Sequence, residues 1–392
     1  CANGVCVMLP TIQRFQLRTK IVFGMESLRE LPNEAEHLGK NVLVVTGKHS
    51  VIENGVLQRV NILLRGSGFA PVFFSEIEPE PSLETVAKGL AMARSEEADW
   101  VIGLGGGSAM DAAKAIAGLY RCGREVEYYF NGGPIEAEGI PLIAIPTTAG
   151  SGAEVTINAV LTDGRNRIKK SIRDPRLAAK TCIVDPQLTF SAPETVTVYA
   201  GADALVQAIE AYVSKGANFL TDIYALAAVE KLGNNLLKTK QDGNNIEARI
   251  EMSMGSLMAG IALSVARLGA VHGLAHSIGV RAGKPHGLVC AVLLVPVMRF
   301  NLAVCHEKYA RIAAAMGAGP VRGDSIDAGA MAIKNIMNLL RKLNIPAHIS
   351  DLGIKETDFP EIIEESLESG SMKANPREVT AEDLLNILHE RV

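Results

Sequence analysis

The sequence predicts an α/β N-terminal domain built on a parallel sheet, residues 1–190, followed by an all-α C-terminal domain, residues 191–392. Three observations carry that expectation. A chain of 392 residues exceeds the size at which one hydrophobic core usually stops growing, so two domains are expected. Short apolar runs alternate with stretches of helical periodicity through the first half, the pattern of a parallel sheet with helices on both faces. Beyond about residue 190 the remaining segments read as long helices, with hardly a convincing strand among them.

In chain order, NVLVVTG (41–47) is the first clear strand, followed by the helical VIENGVLQRVNILLRGSG. APVFFSE (70–76) is a second strand, and SLETVAKGLAMARSEEA another helix. DWVIGLGGG (99–107), IPLIAIPTT (140–148) and KTCIVDP (180–186) complete the strand candidates, each bounded by glycine, proline or polar turn residues. SAPETVTVYAGADAL supplies turn and cap residues at the domain boundary. Helices are then expected at 202–214, 219–239, 245–266, 269–279, 287–303, 305–316, 324–343 and 380–390. The cleft between the two halves is the natural place for an active site.

A net charge of -4 without a Lys/Arg run argues against nucleic-acid or anionic-membrane partners and favours a small-molecule substrate. The six cysteines, at 1, 6, 122, 182, 290 and 305, lack CxxC spacing, which suits reduced thiols and a cytoplasmic protein; a bridge or metal clip between Cys1 and Cys6 is the less favoured alternative. No run approaches the roughly 18 consecutive apolar residues of a membrane span, and no export-type segment opens the sequence.

Two loops read as ligand sites. In GLGGGSAMDAAKAIAGL (103–119), glycines 105, 106 and 107 let a backbone approach a ligand closely, and Ser108 with the free helix N–H groups suits phosphate oxygens. The spacing is not the GxGxxG fingerprint, and a purely structural turn is an equal rival for this loop taken alone. The hydroxyl-rich IPTTAGSGAEVT (145–156) ends another strand, so both loops are expected to share one crevice at the carboxyl edge of the sheet.

Three histidines fall close together in GAVHGLAHSIGVRAGKPHGLVC. His272 and His276 lie one helical turn apart, and His286 follows a proline at the start of the next helix. In ADALVQAIEAYVS (202–214), Asp203 and Gln207 also stand one turn apart, either as a cap and a stripe-edge residue or as part of a polar cluster. Imidazole with carboxylate is a ligand set for zinc or ferrous iron, and Asp203, His272 and His286 would provide three ligands.

Taken together, GGGSAMDAAKAIA, IPTTAGSGAEVT, CIVDPQLT, ADALVQAIEAYVS and LGAVHGLAHSIG followed by KPHG resemble the iron-containing (group III) alcohol dehydrogenase family, across nearly the whole chain. The resemblance implies an NAD(P)-dependent alcohol dehydrogenase or aldehyde reductase, with a Rossmann-like N-terminal domain, a helical metal domain, dehydroquinate synthase-like architecture and a homo-oligomeric state. It assigns the pyrophosphate to Gly105, Gly106 and Ser108, with Asp111 toward the nicotinamide. Thr147, Thr148 and Ser151 would line the cofactor, Lys169 would reach its ribose and Leu188 would pack near the adenine. Asp203, His272 and His286 match metal ligands, with Asp203 and His272 thereby at the reaction centre, and His276 matches a proton-transfer residue.

The departure is Gln207, where most relatives carry histidine. Three arrangements accommodate it: three protein ligands suffice for iron or zinc, Gln207 completes a weaker site, or a metal-independent reductase uses Gln207 and the histidines as hydrogen-bond donors. At Gly47, NAD-preferring relatives tend to carry an aspartate that repels a 2′-phosphate; its absence, with Lys48, His49 and Ser50 following, favours NADP over NAD. Arg267 would favour an anionic substrate only if it faces the cleft, and a surface arginine is the equal alternative. Two rivals remain at this level, a dehydroquinate synthase-like lyase and a nucleotide-binding protein without turnover.

Overall fold

The computed structural model describes residues 13–166, 168–318 and 326–390. Cys1 and Cys6 lie outside the described residues, as do the first residues of the helix expected at 324–343. Eight strands are described: β1 (Lys20–Phe23), β2 (Asn41–Gly47), β3 (Ala70–Ile77), β4 (Trp100–Gly105), β5 (Leu142–Pro146), β6 (Asn158–Asp163), β7 (Ile168–Arg173) and β8 (Thr181–Val184). Six of them form a parallel sheet in the order β1-β8-β5-β4-β2-β3. Alternation explains the layering. Leu43, Val45, Val101 and Ala144 face one apolar cluster, with the alanine-rich helix Gly107–Leu119, while Val42, Val44, Ile102 and Ile143 face the other. Both faces are covered, which is why β2, β4 and β5 read as continuous apolar runs.

Several features depart from the sequence reading. β1 is short and only partly buried, so it carries little apolar signal. β6 and β7 form an antiparallel hairpin whose turn is fixed by Asp163: its Oδ1 accepts from the backbone N–H groups of Arg165 and Asn166 at 3.0 and 3.2 Å. The Asp-Gly at its head is a hairpin signal, but the charged IKKSIR strand masks it. The 287–303 and 305–316 segments are one helix, His286–Ala315, running through Pro296. Met298, Cys305, Tyr309 and Ile312 keep it in the same core along its length, so packing overrides the break that the polar residues after Val304 suggest. Helix His286–Ala315 is long and apolar enough to cross a membrane, but 72% of its most apolar window is buried inside the protein.

The helical half begins at Glu194, not at 202. SAPETVTVYAGADAL therefore contributes mostly to helix Glu194–Val213 instead of preceding it, and Asp203 is a mid-helix residue, not a cap. Gly201, a helix breaker by propensity, is present for packing: a Cβ there would lie 2.4 Å from Leu236 Cδ1. Helices Phe219–Gln241 and Ile246–Ala266 pack on this central helix, and the latter also touches the sheet domain. At the junction a Cβ on Gly152 (φ +61°) would come within 2.5 Å of Gly260 Cα, and one on Gly260 within 2.7 Å of the Gly152 carbonyl oxygen. The two halves thus meet backbone against backbone.

Candidate active site

The strand order places β3 on one side of β2 and β4 on the other, so the crevice at the β2 and β4 carboxyl ends is the topological switch point. Gly47 ends β2 and Gly105 ends β4. Gly105 needs glycine for its backbone, at φ +148°, and a Cβ there would lie 2.9 Å from Ala109 Cβ. Gly107 needs it for contact, since a Cβ would meet Ser151 Oγ at 2.7 Å. Gly106 is different: its φ is -81° and a Cβ would sit 3.4 Å from Thr148 Oγ1, an arrangement the protein tolerates. Its lack of a side chain leaves open space in front of the first free N–H groups of helix Gly107–Leu119, the geometry that suits a phosphate.

The two loops read from the sequence do share this crevice. Thr147 N–H donates to the Gly105 carbonyl at 2.9 Å, and Thr148 and Ser151 border Gly106 and Gly107. Ser108 Oγ accepts from Glu80 N–H at 3.2 Å, and Glu80 in turn pairs with Lys169 Nζ at 2.6 Å, which fastens the β6–β7 hairpin to the glycine turn. Asp111 pairs with Lys114 at 2.8 Å; Lys114 is buried and also donates to Thr156 Oγ1 at 3.0 Å and to the Asn158 carbonyl. Leu188 is buried in the apolar cluster that holds Val44, Ile102 and Ile145. Arg267 is exposed at the end of helix Ile246–Ala266.

Across the junction three helices bring the polar residues together. Asp203 and Gln207 come from the middle of Glu194–Val213, His272 from the first turn of Ala270–Ala282, and His286 from the first residue of His286–Ala315. Gly287 lets the last of these dock: a Cβ there would lie 2.0 Å from the Tyr199 carbonyl oxygen and 3.1 Å from Asp203 Cβ. The His-Gly pair is thus explained, because only glycine allows the helix start to sit against the Tyr199 backbone beside Asp203.

The resulting geometry is compact. Asp203 Oδ1 faces His272 Nε2 at 3.5 Å and His286 Nε2 at 3.9 Å, while Asp203 Oδ2 accepts from Gln207 Nε2 at 2.9 Å. Cys290, one turn after His286, sets its Sγ 3.5 Å from His286 Nε2. One donor atom from each of Asp203, His272, His286 and Cys290 lies within 4.8 Å of the others. Glu210 supports the group from behind: Oε2 holds His272 Nδ1 at 2.6 Å, and Oε1 accepts from Val271 N–H at 2.7 Å at the start of the helix. His276 is half-buried and stacks on His286 at 5.6 Å between ring centroids.

Sequence reasoning missed Glu210 and Cys290. Both carried a signal, because Glu210 repeats the Asp203 and Gln207 face one turn on and Cys290 stands four residues after His286.

Electrostatics divide the histidines. Burial, the Lys169 ammonium and His272 push His276 down to about 3, and the same influences hold His286 well below its ordinary value. Burial opposes protonation of His272 too, yet Cys290, Asp203 and Glu210 around it hold its pKa well above the usual value. Burial raises the Cys290 thiol to about 11.

The residues fit a metal. Asp203 Oδ1 and His272 Nε2 are buried, face each other at 3.5 Å and have no hydrogen-bond partner, and Gln207 Oε1 is likewise buried without one. Buried polar atoms left in this way are costly unless a ligand completes them. Carboxylate, imidazole and thiol are donors for a borderline-to-soft divalent ion.

Comparison with known proteins covers the same ground. Residues 18–186 match the iron-containing alcohol dehydrogenase family, and residues 197–392 match the C-terminal part of the Fe-containing alcohol dehydrogenase family. The chain is 36% identical over 371 residues to 1,3-propanediol dehydrogenase of Klebsiella pneumoniae, covering 94% of this chain and 96% of that protein. It is 35% identical over 372 residues to lactaldehyde reductase of Escherichia coli (strain K12), with the same coverage. The crystal structure of a 1,3-propanediol oxidoreductase superposes with a TM-score of 0.92 at 35% identity, over 96% of this chain and 99% of that one.

Proposed function

The chain belongs to the iron-containing alcohol dehydrogenase family and is an NAD(P)-dependent alcohol/aldehyde oxidoreductase, and from that premise we propose that it interconverts a small aldehyde and its alcohol with NADP, assisted by a divalent metal at Asp203, His272 and His286. The observation that carries the metal reading is the pair of unpartnered buried atoms, Asp203 Oδ1 and His272 Nε2, facing each other beside His286.

When bound, the nicotinamide supplies the hydride and the metal supplies Lewis-acid stabilisation of the developing alkoxide. The chain's own residues do the rest. The turn at Gly105 to Ser108 takes the pyrophosphate on free backbone N–H groups, with Thr147, Thr148 and Ser151 closing its flank. Glu210 holds His272 through Nδ1, which leaves Nε2 aimed at the metal position, and Gln207 holds Asp203 through Oδ2, which leaves Oδ1 aimed there. His276, kept neutral by its surroundings, stacks on His286 beside the site, where the family resemblance places a proton-transfer residue.

Preference for NADP is supported by Gly47: no carboxylate stands at the end of β2 to repel a 2′-phosphate, and Lys48, His49 and Ser50 are exposed there. Four free cysteines among the described residues support a reducing, cytoplasmic setting. The test is metal analysis of protein purified without chelator, with NADPH- and NADH-dependent reduction of a panel of small aldehydes before and after chelation. Full activity in exhaustively metal-free protein would overturn the metal reading and leave the oxidoreductase assignment standing.

A further inference from the structure

Asp203, His272 and His286 offer a tetrahedral ion three donors, and two side chains compete for the remaining protein position. Gln207 is the obvious one by sequence, being on the same helix face as Asp203. Its Nε2, however, is engaged with Asp203 Oδ2, and the oxygen it has left is a neutral amide donor, the weaker type for zinc or iron. Cys290 is fully buried, with Sγ 3.5 Å from His286 Nε2 and inside the 4.8 Å span of the donor set. Ligands at about 2.0–2.3 Å from a tetrahedral zinc lie roughly 3.3–3.8 Å apart, so small side-chain rotations close this set around an ion.

We propose that Cys290 is a fourth protein ligand, as thiolate, so that this site takes zinc in preference to ferrous iron. The proposal rests on the metal-assisted reading above. On loading, the S–H bond breaks, a sulfur–metal bond forms and the proton leaves to solvent; no electrons are transferred. Four protein donors do not exclude substrate, since catalytic zinc expands to five-coordinate geometry. Gln207 then acts through Asp203 as a positioning residue. The competing role for Cys290, a small apolar filler of the helix start, requires no contact between sulfur and metal.

Cobalt(II) separates the two roles without an activity measurement. Metal-free protein is titrated with cobalt(II), and the near-ultraviolet thiolate-to-cobalt charge-transfer absorption is recorded for the wild type, Cys290→Ser, Cys290→Ala and Gln207→Ala, each checked for folding by circular dichroism. Zinc and ferrous affinities are measured by competition with a chromophoric chelator. The wild type and Gln207→Ala should show the band, and both Cys290 variants should lose it. Zinc affinity should fall about 100-fold or more in Cys290→Ser, beyond the roughly 10- to 100-fold that loss of an outer supporting residue costs, and ferrous affinity should fall less. Cobalt uptake by the wild type without the band, or unchanged zinc affinity in a folded Cys290 variant, overturns the proposal alone. No cobalt uptake by the wild type overturns both the proposal and the metal-assisted reading.

Discussion

Replacing Gly106 separates cofactor binding from folding. Its φ of -81° is open to any residue, and the nearest atom to an added Cβ is Thr148 Oγ1 at 3.4 Å, so the empty protein accepts a side chain with little movement. Gly106 is the N-cap of helix Gly107–Leu119 without a side-chain cap bond, and exchanging glycine for valine at such a position costs about 1 kcal/mol or less. That corresponds to a fall in Tm of no more than about 4 °C for a domain of this size. The cofactor feels much more. A hydrogen bond from backbone N–H to a charged oxygen is worth about 1.5–3 kcal/mol, so pushing the pyrophosphate off one of them weakens binding by roughly 10- to 150-fold. Gly106→Ala should fall at the low end and Gly106→Val at the high end. NADPH binding by fluorescence titration, beside thermal melts of the same preparations, measures both quantities. Gly105→Ala is the contrast, because φ +148° and the 2.9 Å approach to Ala109 place its cost in the fold. A folded Gly106→Val protein with unchanged NADPH affinity would refute the assignment of the turn.

Other substitutions test the remaining parts. Glu210→Gln weakens the hold on His272 Nδ1 and should lower zinc affinity about 10- to 100-fold by metal titration, whereas a merely structural Glu210 would change Tm and leave metal affinity alone. Gly47→Asp has room, with the nearest atom to its Cβ 3.5 Å away at the Ile77 carbonyl, and should move the kcat/KM ratio toward NADH; a native preference for NADH refutes the reading of β2. Glu154 is buried and its pKa is raised to about 7 by burial, from 4.5. The folded state therefore holds a proton that the unfolded state releases, and stability present below about pH 4.5 is lost as pH rises through about 7. Glu154→Gln should remove that part of the decline, roughly 3 kcal/mol in full, as read from denaturant melts between pH 5 and 8; parallel pH profiles for the two proteins would contradict it.

The parts of the molecule that were legible in the sequence are those where one local rule decides the outcome. Strands β2, β4 and β5 are buried on both faces, so their apolar runs stand out, and the glycine and hydroxyl loops fall at their ends. β1 and the β6–β7 hairpin are half-buried or charged, and their pairing partners are remote or masked. Asp203, His272, His276 and His286 were readable as residue types at helical spacing. Which helix faces meet was not, because that depends on Gly287 seating a helix start against Tyr199 and Asp203. The start of helix Glu194–Val213 was misplaced for a related reason: β-branched residues and Gly201 oppose helix locally, while packing against Leu236 and Met252 rewards it. Cys290 reads as one more apolar core residue until its sulfur is placed beside His286.

The contact between Gly152 and Gly260 sets how closely the two halves approach. The hydroxyl loop and the helix that packs on the Asp203 helix approach through main-chain atoms at Gly152 and Gly260, beside a bond from Ser256 Oγ to the Gly150 carbonyl at 3.1 Å. The glycines themselves have no side chain to turn aside there. A methyl group on either glycine would therefore wedge the hydroxyl loop away from the helical half, as a shim at the joint of a pair of callipers opens its jaws.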